Sequence, residues 1–189
     1  VLLRIAGLPI FDSIINAFST AGTGGFSNMN ASVAAYNNVA AEIMITVFMF
    51  LFGINFSLYF FILGGKFAKF IKDIELKVYF GVVIVSILII TVNISGIYGG
   101  IAEGLRHSSF QVSSVISTTG FSTTDFNLWP TLSKVILVFL MVTGCSAGST
   151  GGGVKLIRFI ILFKAAGIEL GKIFHPGSVK AVSVNGKKV

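Results

Sequence analysis

The chain has 189 residues, 54% of them hydrophobic and 11% charged, with a formal net charge of +7 and a mean hydropathy of +0.92. A soluble domain carries about a quarter charged residues, so the composition excludes that class and points to an integral membrane protein. The basic residues lie between apolar segments rather than on a polar domain, which reads as membrane topology and not as nucleic-acid binding.

In chain order, VLLRIAGLP at residues 1–9 reads as the last turn of a preceding membrane segment, and the whole chain as an internal piece of a longer protein. Phe11 to Ala21 is apolar but too short to cross a bilayer, and TAGTGGFS follows it. Ile43 to Leu63 is nearly free of charge and predicts one spanning helix of about 32 Å, enough for a hydrocarbon core of about 30 Å. Val78 to Ile97 is the cleanest predicted span. Phe110 to Ile116 is again short and apolar, and STTGFSTTD follows it. Leu132 to Ala166 predicts a third span, interrupted by GCSAGSTGGG at residues 144–153. Its halves, of about 13 residues or 20 Å each, are too short to cross alone.

Lys66, Lys69, Lys72 and Lys77 separate the first two spans, while Lys155, Arg158, Lys164, Lys172, Lys180, Lys187 and Lys188 lie in or after the second half of the third. Both regions are therefore expected on the cytoplasmic side. Residues 7–38 and 99–130 then face outward. Trp129 and Tyr36 are expected as interface anchors.

The two outer stretches repeat. A shift of 95 residues aligns Ser19 with Ser114, Thr23 with Thr118, and Gly25-Phe26-Ser27 with Gly120-Phe121-Ser122. A shift of 91 aligns Phe48 with Phe139 and Gly53 with Gly144 in the helices that follow. The chain thus divides into residues 1–75, the end of one unit (pore helix, filter, inner helix), and 76–170, a complete unit (outer helix, pore helix, filter, broken inner helix), with a cytoplasmic linker at 171–189. The expected fold class is all-α integral membrane, built of helix–pore loop–helix repeats.

A re-entrant segment must bury its irregular backbone in protein or line a water-filled path. Potassium-type filters replace the ion's water shell with backbone carbonyls. Glycine permits the positive φ that aligns them, and threonine adds a hydroxyl without charge. The candidate filter residues are Gly22, Thr23, Gly24 and Gly25 in one unit and Ser117, Thr118, Thr119 and Gly120 in the other. Their expected ligand is potassium as transported substrate, bound by backbone carbonyls, and no cofactor is expected in this chain. The candidate gating residues are Gly144, Ser146, Gly148, Ser149, Thr150, Gly151, Gly152 and Gly153, because an unwound stretch at membrane depth is tolerated where it lines a cavity.

Competing chemistry is weak. GSTGGGVK misses the phosphate-binding pattern, since Val154 precedes Lys155 and Leu156 stands where a magnesium-binding hydroxyl is needed. The seven carboxylates are scattered, with no pair placed beside a histidine for acid–base work, so no enzyme is expected. The one cysteine, Cys145, forms no internal disulfide and is expected as a packed thiol. Asp125 either draws cations to the mouth or is a solvated turn residue. Lys155 and Arg158 are expected as topology determinants.

FDSIINAFSTAGTGGFS, ISTTGFSTTDFNLWP and GCSAGSTGGGVKLIRFIILFK followed by HPGSVK resemble the Trk/Ktr/HKT superfamily of potassium transporters, most closely the bacterial Trk potassium uptake membrane subunit. The resemblance implies a single-chain pore of four repeats, of which this chain holds the end of the second and all of the third. It implies that the glycine-rich loop obstructs the pore beneath the filter and moves to let ions through. It also implies a multi-pass protein of the cell (inner) membrane, a homodimer, and a cytosolic nucleotide-binding regulatory subunit. The alternatives are a sodium/potassium transporter of the same superfamily, or a non-conducting membrane scaffold.

Overall fold

The structure is a computed structural model that describes residues 1–174, 181–185 and 187–188. Its helices are α1 (Leu2–Ile5), α2 (Ile10–Ala21), α3 (Val39–Phe52), α4 (Phe56–Leu63), α5 (Phe67–Lys72), α6 (Ile74–Ile94), α7 (Ile101–Ile116), α8 (Thr131–Thr143) and α9 (Leu156–Phe174). A two-residue antiparallel ladder, β1 (Ser183–Val184) with β2 (Lys187–Lys188), is the one departure from helix and turn among the described residues. The HPGSVK string at 175–180 lies outside the described residues.

The breakers set the boundaries. Pro9 and Pro130 stand immediately before α2 and α8, where a residue without an N–H leaves no donor unpaired. Asp73 caps α6 by accepting from the Leu76 amide at 2.8 Å. With 21 residues, α6 runs about 32 Å and alone among the described helices is long and apolar enough to cross a membrane.

The span expected from Ile43 to Leu63 is not one helix. The chain turns by 92° between α3 and α4. Gly53 comes so close to α6 and the 144–155 loop that a Cβ there would overlap Tyr79 Oη and Cys145 Sγ. The backbone groups freed by the bend find partners: the Ser146 amide donates to the Gly53 carbonyl at 3.1 Å, and the Phe56 amide donates to the Gly148 carbonyl at 3.0 Å. Hydropathy registers the apolar run but not this exchange.

The pore helix expected at Phe110 to Ile116 is longer, 16 residues from Ile101. Its first half packs along one face, with Gly104 against the Thr91 carbonyl of α6 and the Ser108 hydroxyl 2.7 Å from that of Thr91. Arg106 pairs with Glu103 at 2.9 Å and with Glu42 of α3 at 3.4 Å, tying the two units at this end. Trp129 is no interface anchor, being 1% exposed with its indole N–H donating to Tyr98 Oη at 2.8 Å.

The core gathers in two clusters. Tyr79, Ile90, Ile94, Val112, Ile116, Leu137 and Leu140 fill the space among α6, α7 and α8. Val33, Ala41, Ile45, Met49, Phe110 and Phe121 fill that between α3 and α7. Because α7 packs into both, the stretch that follows it is held from two sides. The outer faces of α6 and α8 expose Ile84, Leu88, Val92, Val135, Val138 and Met141, as an all-α membrane fold does toward lipid or further helices.

Candidate ion filter and gate

Helices α2 and α7 end on the same local geometry. After α2, Gly22 N–H donates to Phe18, Thr23 N–H to Thr20, and Gly24 N–H to the Ser19 carbonyl. After α7, Ser117 N–H donates to Ser113, Thr118 N–H to Val115, and Thr119 N–H to the Ser114 carbonyl. Each pair of bonds is related by the 95-residue shift, so the sequence repeat is a repeat of backbone structure.

The dihedrals follow suit. Thr23 and Gly25 have φ of +50° and +68°, and Thr118 and Gly120 have +56° and +87°. Alternating the hand of successive residues turns their carbonyls toward one side, which a carbonyl-lined ion path requires. Among the described residues, the carbonyls of Thr23, Gly24, Gly25, Thr118, Thr119 and Gly120 accept no hydrogen bond. The Gly22 carbonyl lies 2.8 Å from Thr23 Oγ1 and shares that hydroxyl's single proton with the Thr150 carbonyl. Gly25 approaches the other unit so closely that a Cβ would collide with the Thr119 carbonyl.

The scaffold behind the second strand is a hydroxyl set. Ser114 Oγ donates to the Phe121 carbonyl at 2.6 Å, and the Ser117 and Thr119 hydroxyls pair at 2.6 Å. Behind the first, Asn28 Nδ2 donates to the buried Asp12 carboxylate at 2.6 Å, and Tyr36 Oη donates to Asn28 Oδ1 at 2.9 Å. Asp125 caps the turn at Phe126–Leu128 through the Asn127 amide at 2.9 Å.

The glycine-rich stretch from Gly144 to Lys155 lies against both filter strands. Thr23 Oγ1 donates to the Thr150 carbonyl at 3.0 Å, and Gly152 N–H donates to Thr118 Oγ1 at 2.6 Å. These are the two threonines that the repeat aligns. Gly151 packs against the Ser117 carbonyl and Cys145. Gly144, Gly148 and Gly153 have φ of +65°, +72° and +81°, and Gly144 and Gly153 leave no room for a side chain between them. Ser149 Oγ donates to the Ser146 carbonyl at 2.6 Å and Thr150 Oγ1 to Phe52 at 3.4 Å, whereas the buried Ser146 Oγ has no partner among the described residues. Lys155 bends back to bond the Gly151 carbonyl and itself adopts a φ of +78°, so it belongs to the loop as well as to the basic face. Cys145 is fully buried, its thiol donating to the Ile116 carbonyl at 3.1 Å.

Sequence reasoning places Thr23 and Thr118 in the candidate filter for their hydroxyls and does not foresee their left-handed backbone. It misses two further participants, Gly53 and Glu75. The break at Gly53 was signalled by its 91-residue alignment with Gly144. Glu75, which bonds both ends of the loop, carried no signal beyond a carboxylate at the edge of a span.

Residues 4–189 match the family model described as TrkH, cation transport protein. The chain belongs to the TrkH family. The TrkH potassium uptake protein of the Trk system from Salmonella typhimurium is 35% identical over 188 residues, covering 98% of this chain and 39% of its own length. The TrkG potassium uptake protein of the Trk system from Escherichia coli is 36% identical over 193 residues, covering 100% of this chain and 39% of its own length. The crystal structure of the potassium transporter TrkH from Vibrio parahaemolyticus superposes with a TM-score of 0.91 at 33% identity, covering all of this chain and 41% of that one. This TrkH-family chain therefore spans about two fifths of the length of the relatives it matches.

Proposed function

We propose that the protein to which this chain belongs carries potassium across the cell membrane through a carbonyl-lined filter, and that the glycine-rich loop is its gate. The observation that carries the reading is the filter pair: two strands with the same left-handed positions, the same backbone bonds and six carbonyls that accept no hydrogen bond among the described residues. The names of the relatives, Trk system potassium uptake proteins, agree with it. In this reading residues 1–75 and 76–170 are consecutive repeats of one pore, and two further repeats complete the ring of carbonyls.

The gate reading rests on position. A loop hydrogen-bonded to Thr23 and Thr118 lies across the end of the path that those strands would line. The protein is proposed to sit in the inner membrane with the basic segments at Lys66–Lys77 and Lys155–Lys172 in the cytoplasm. A homodimer and a cytosolic nucleotide-binding regulatory subunit are proposed as partners on the strength of family membership.

The test is ion flux through the full-length parent in liposomes. Gly120→Ala adds a Cβ that meets nothing within 4 Å, so only the φ of +87° opposes it, at about 1–2 kcal/mol. Gly25→Ala adds a collision with the Thr119 carbonyl as well. Both variants should lower the potassium-to-sodium flux ratio, Gly25→Ala more strongly. A ratio unchanged in both would remove the filter assignment, and equal sodium and potassium flux in the unmodified parent would favour a mixed-cation transporter.

A further inference from the structure

Glu75 stands in the first turn of α6, the helix that opens the second unit, and its side chain reaches into the glycine-rich loop. Its residue exposure is 4%. The oxygen Oε1 accepts from the Ala147 amide at 2.7 Å and from the Ile157 amide at 3.2 Å. Ala147 lies near the start of the loop and Ile157 in the first turn of α9, so one carboxylate oxygen closes the loop at both ends. The loop's other contacts are backbone bonds, such as Ser146 to Gly53, Phe56 to Gly148, Val154 to Val142 and Lys155 to Thr143, and the threonine bonds at Thr23 and Thr118; among the described residues no other side chain accepts from both ends of the loop. Lys155, the cation in the loop, bonds the Gly151 carbonyl and lies close enough to attract the Glu75 carboxylate, but the hydrogen bonds that Glu75 makes are those to the two amides.

We infer that Glu75 is the positioning residue of the gate: it pins the two ends of the glycine-rich loop together on α6 and so favours the obstructing conformation over the open one. This rests on the loop being the gate. A loop with glycines at three left-handed positions has little conformational preference of its own, and its position must be imposed from outside. A buried acceptor shared by two backbone donors does that, because leaving the obstructing position strands both amides and the carboxylate. Release of the loop is then coupled to any displacement of the first turn of α6, which Asp73 caps and which follows directly on the basic helix α5.

The experiment uses the full-length parent in liposomes with a fluorescent potassium reporter, and three variants. Glu75→Ala removes the acceptor, and loss of hydrogen bonds to a carboxylate shifts a two-state equilibrium by about tenfold or more, so basal flux should rise by that factor. Glu75→Gln keeps a carbonyl oxygen in place without the charge-assisted strength, and the rise should be only about two- to threefold. Where Glu75→Ala fails to assemble, Glu75→Asp takes its place, since its shorter side chain reaches at most one of the two amides. Deletion of residues 147–152 is the control for the gate itself. A deletion that raises flux alongside a Glu75→Ala or Glu75→Asp variant at the unmodified level would overturn the role of Glu75 and leave the gate standing. A deletion that leaves flux unchanged would overturn the gate and with it this inference. Equal effects of Glu75→Ala and Glu75→Gln would show that charge, and not the shared acceptor, is what matters, and would also overturn it.

Discussion

Gly53 and Gly81 are both helix-associated glycines, and their surroundings oppose each other. A Cβ at Gly53 would overlap Tyr79 Oη and Cys145 Sγ, while one at Gly81 meets nothing within 4 Å. Overpacking a tight contact costs about 1–3 kcal/mol, whereas alanine in place of glycine inside an exposed helix gains about 0.5–1 kcal/mol. Gly53→Ala should therefore lower the melting temperature of the detergent-solubilised parent, and Gly81→Ala should raise it slightly. Melting curves of the two variants side by side check this, and a stabilised Gly53→Ala would mean that the close approach of α3, α6 and the loop is wrong. At the same scale, the paired left-handed threonines show why residue type alone under-reads a filter. Thr23 and Thr118 hold φ near +50° because the pore helix ahead and the loop behind both bind them, and a left-handed non-glycine persists only where its surroundings impose it.

Among the elements, α4 depends on one side chain at the bend. Asn55 Oδ1 accepts from the Ser57 amide at 2.9 Å, capping the helix, and the same side chain packs against Gly148. Asn55→Ala should cost about 1 kcal/mol of stability, and Asn55→Asp, which keeps the capping oxygen, should cost less. Thermal unfolding of both resolves the two, and equal losses would mean that packing on Gly148, not the cap, is the stabilising contact. The elements also mark what could be read in advance. The span at α6, the short helix α2, the repeat of the TAGTGGFS and STTGFSTTD strings and the interrupted third span were legible, because apolar length and the 95-residue repeat are local signals. The bend after Gly53 was signalled only by its alignment with Gly144, since by hydropathy an apolar run looks the same whether it is straight or folded back. The polar half of α7 was passed over for the opposite reason: its burial depends on Thr91 and Glu42, far away in sequence. Glu75 was invisible for the same cause, because its partners, Ala147 and Ile157, lie more than seventy residues on.

At the scale of the molecule, the two units meet where function is proposed. The candidate filter stretches touch at Gly25 and Thr119, Ala34 N–H donates to the Ser122 carbonyl at 3.2 Å, and the loop of the second unit bonds both the candidate filter and the broken helix of the first. A loop placed this way has two separable properties, bulk and flexibility. Deleting residues 147–152 in the full-length parent removes the bulk beneath Thr23 and Thr118, together with the bonds from Thr23 to Thr150 and from Gly152 to Thr118. Basal potassium flux should rise by about tenfold or more, as loss of an obstructing state does when it dominates the resting population. Replacing residues 148–152 with alanine keeps the bulk and removes the flexibility. New Cβ atoms at Gly151 and Gly152 would lie 3.0 Å from the Ser117 carbonyl and 3.2 Å from Thr118 Oγ1, and each glycine-to-alanine change favours helix by about 1 kcal/mol. A stiffer chain still crosses the path, so flux should stay at or below that of the unmodified protein. The deletion thus raises flux from the starting point that the alanine variant does not exceed. If both are well folded and both conduct like the parent, the stretch is a packing kink in α8–α9 and the gate lies elsewhere in the pore.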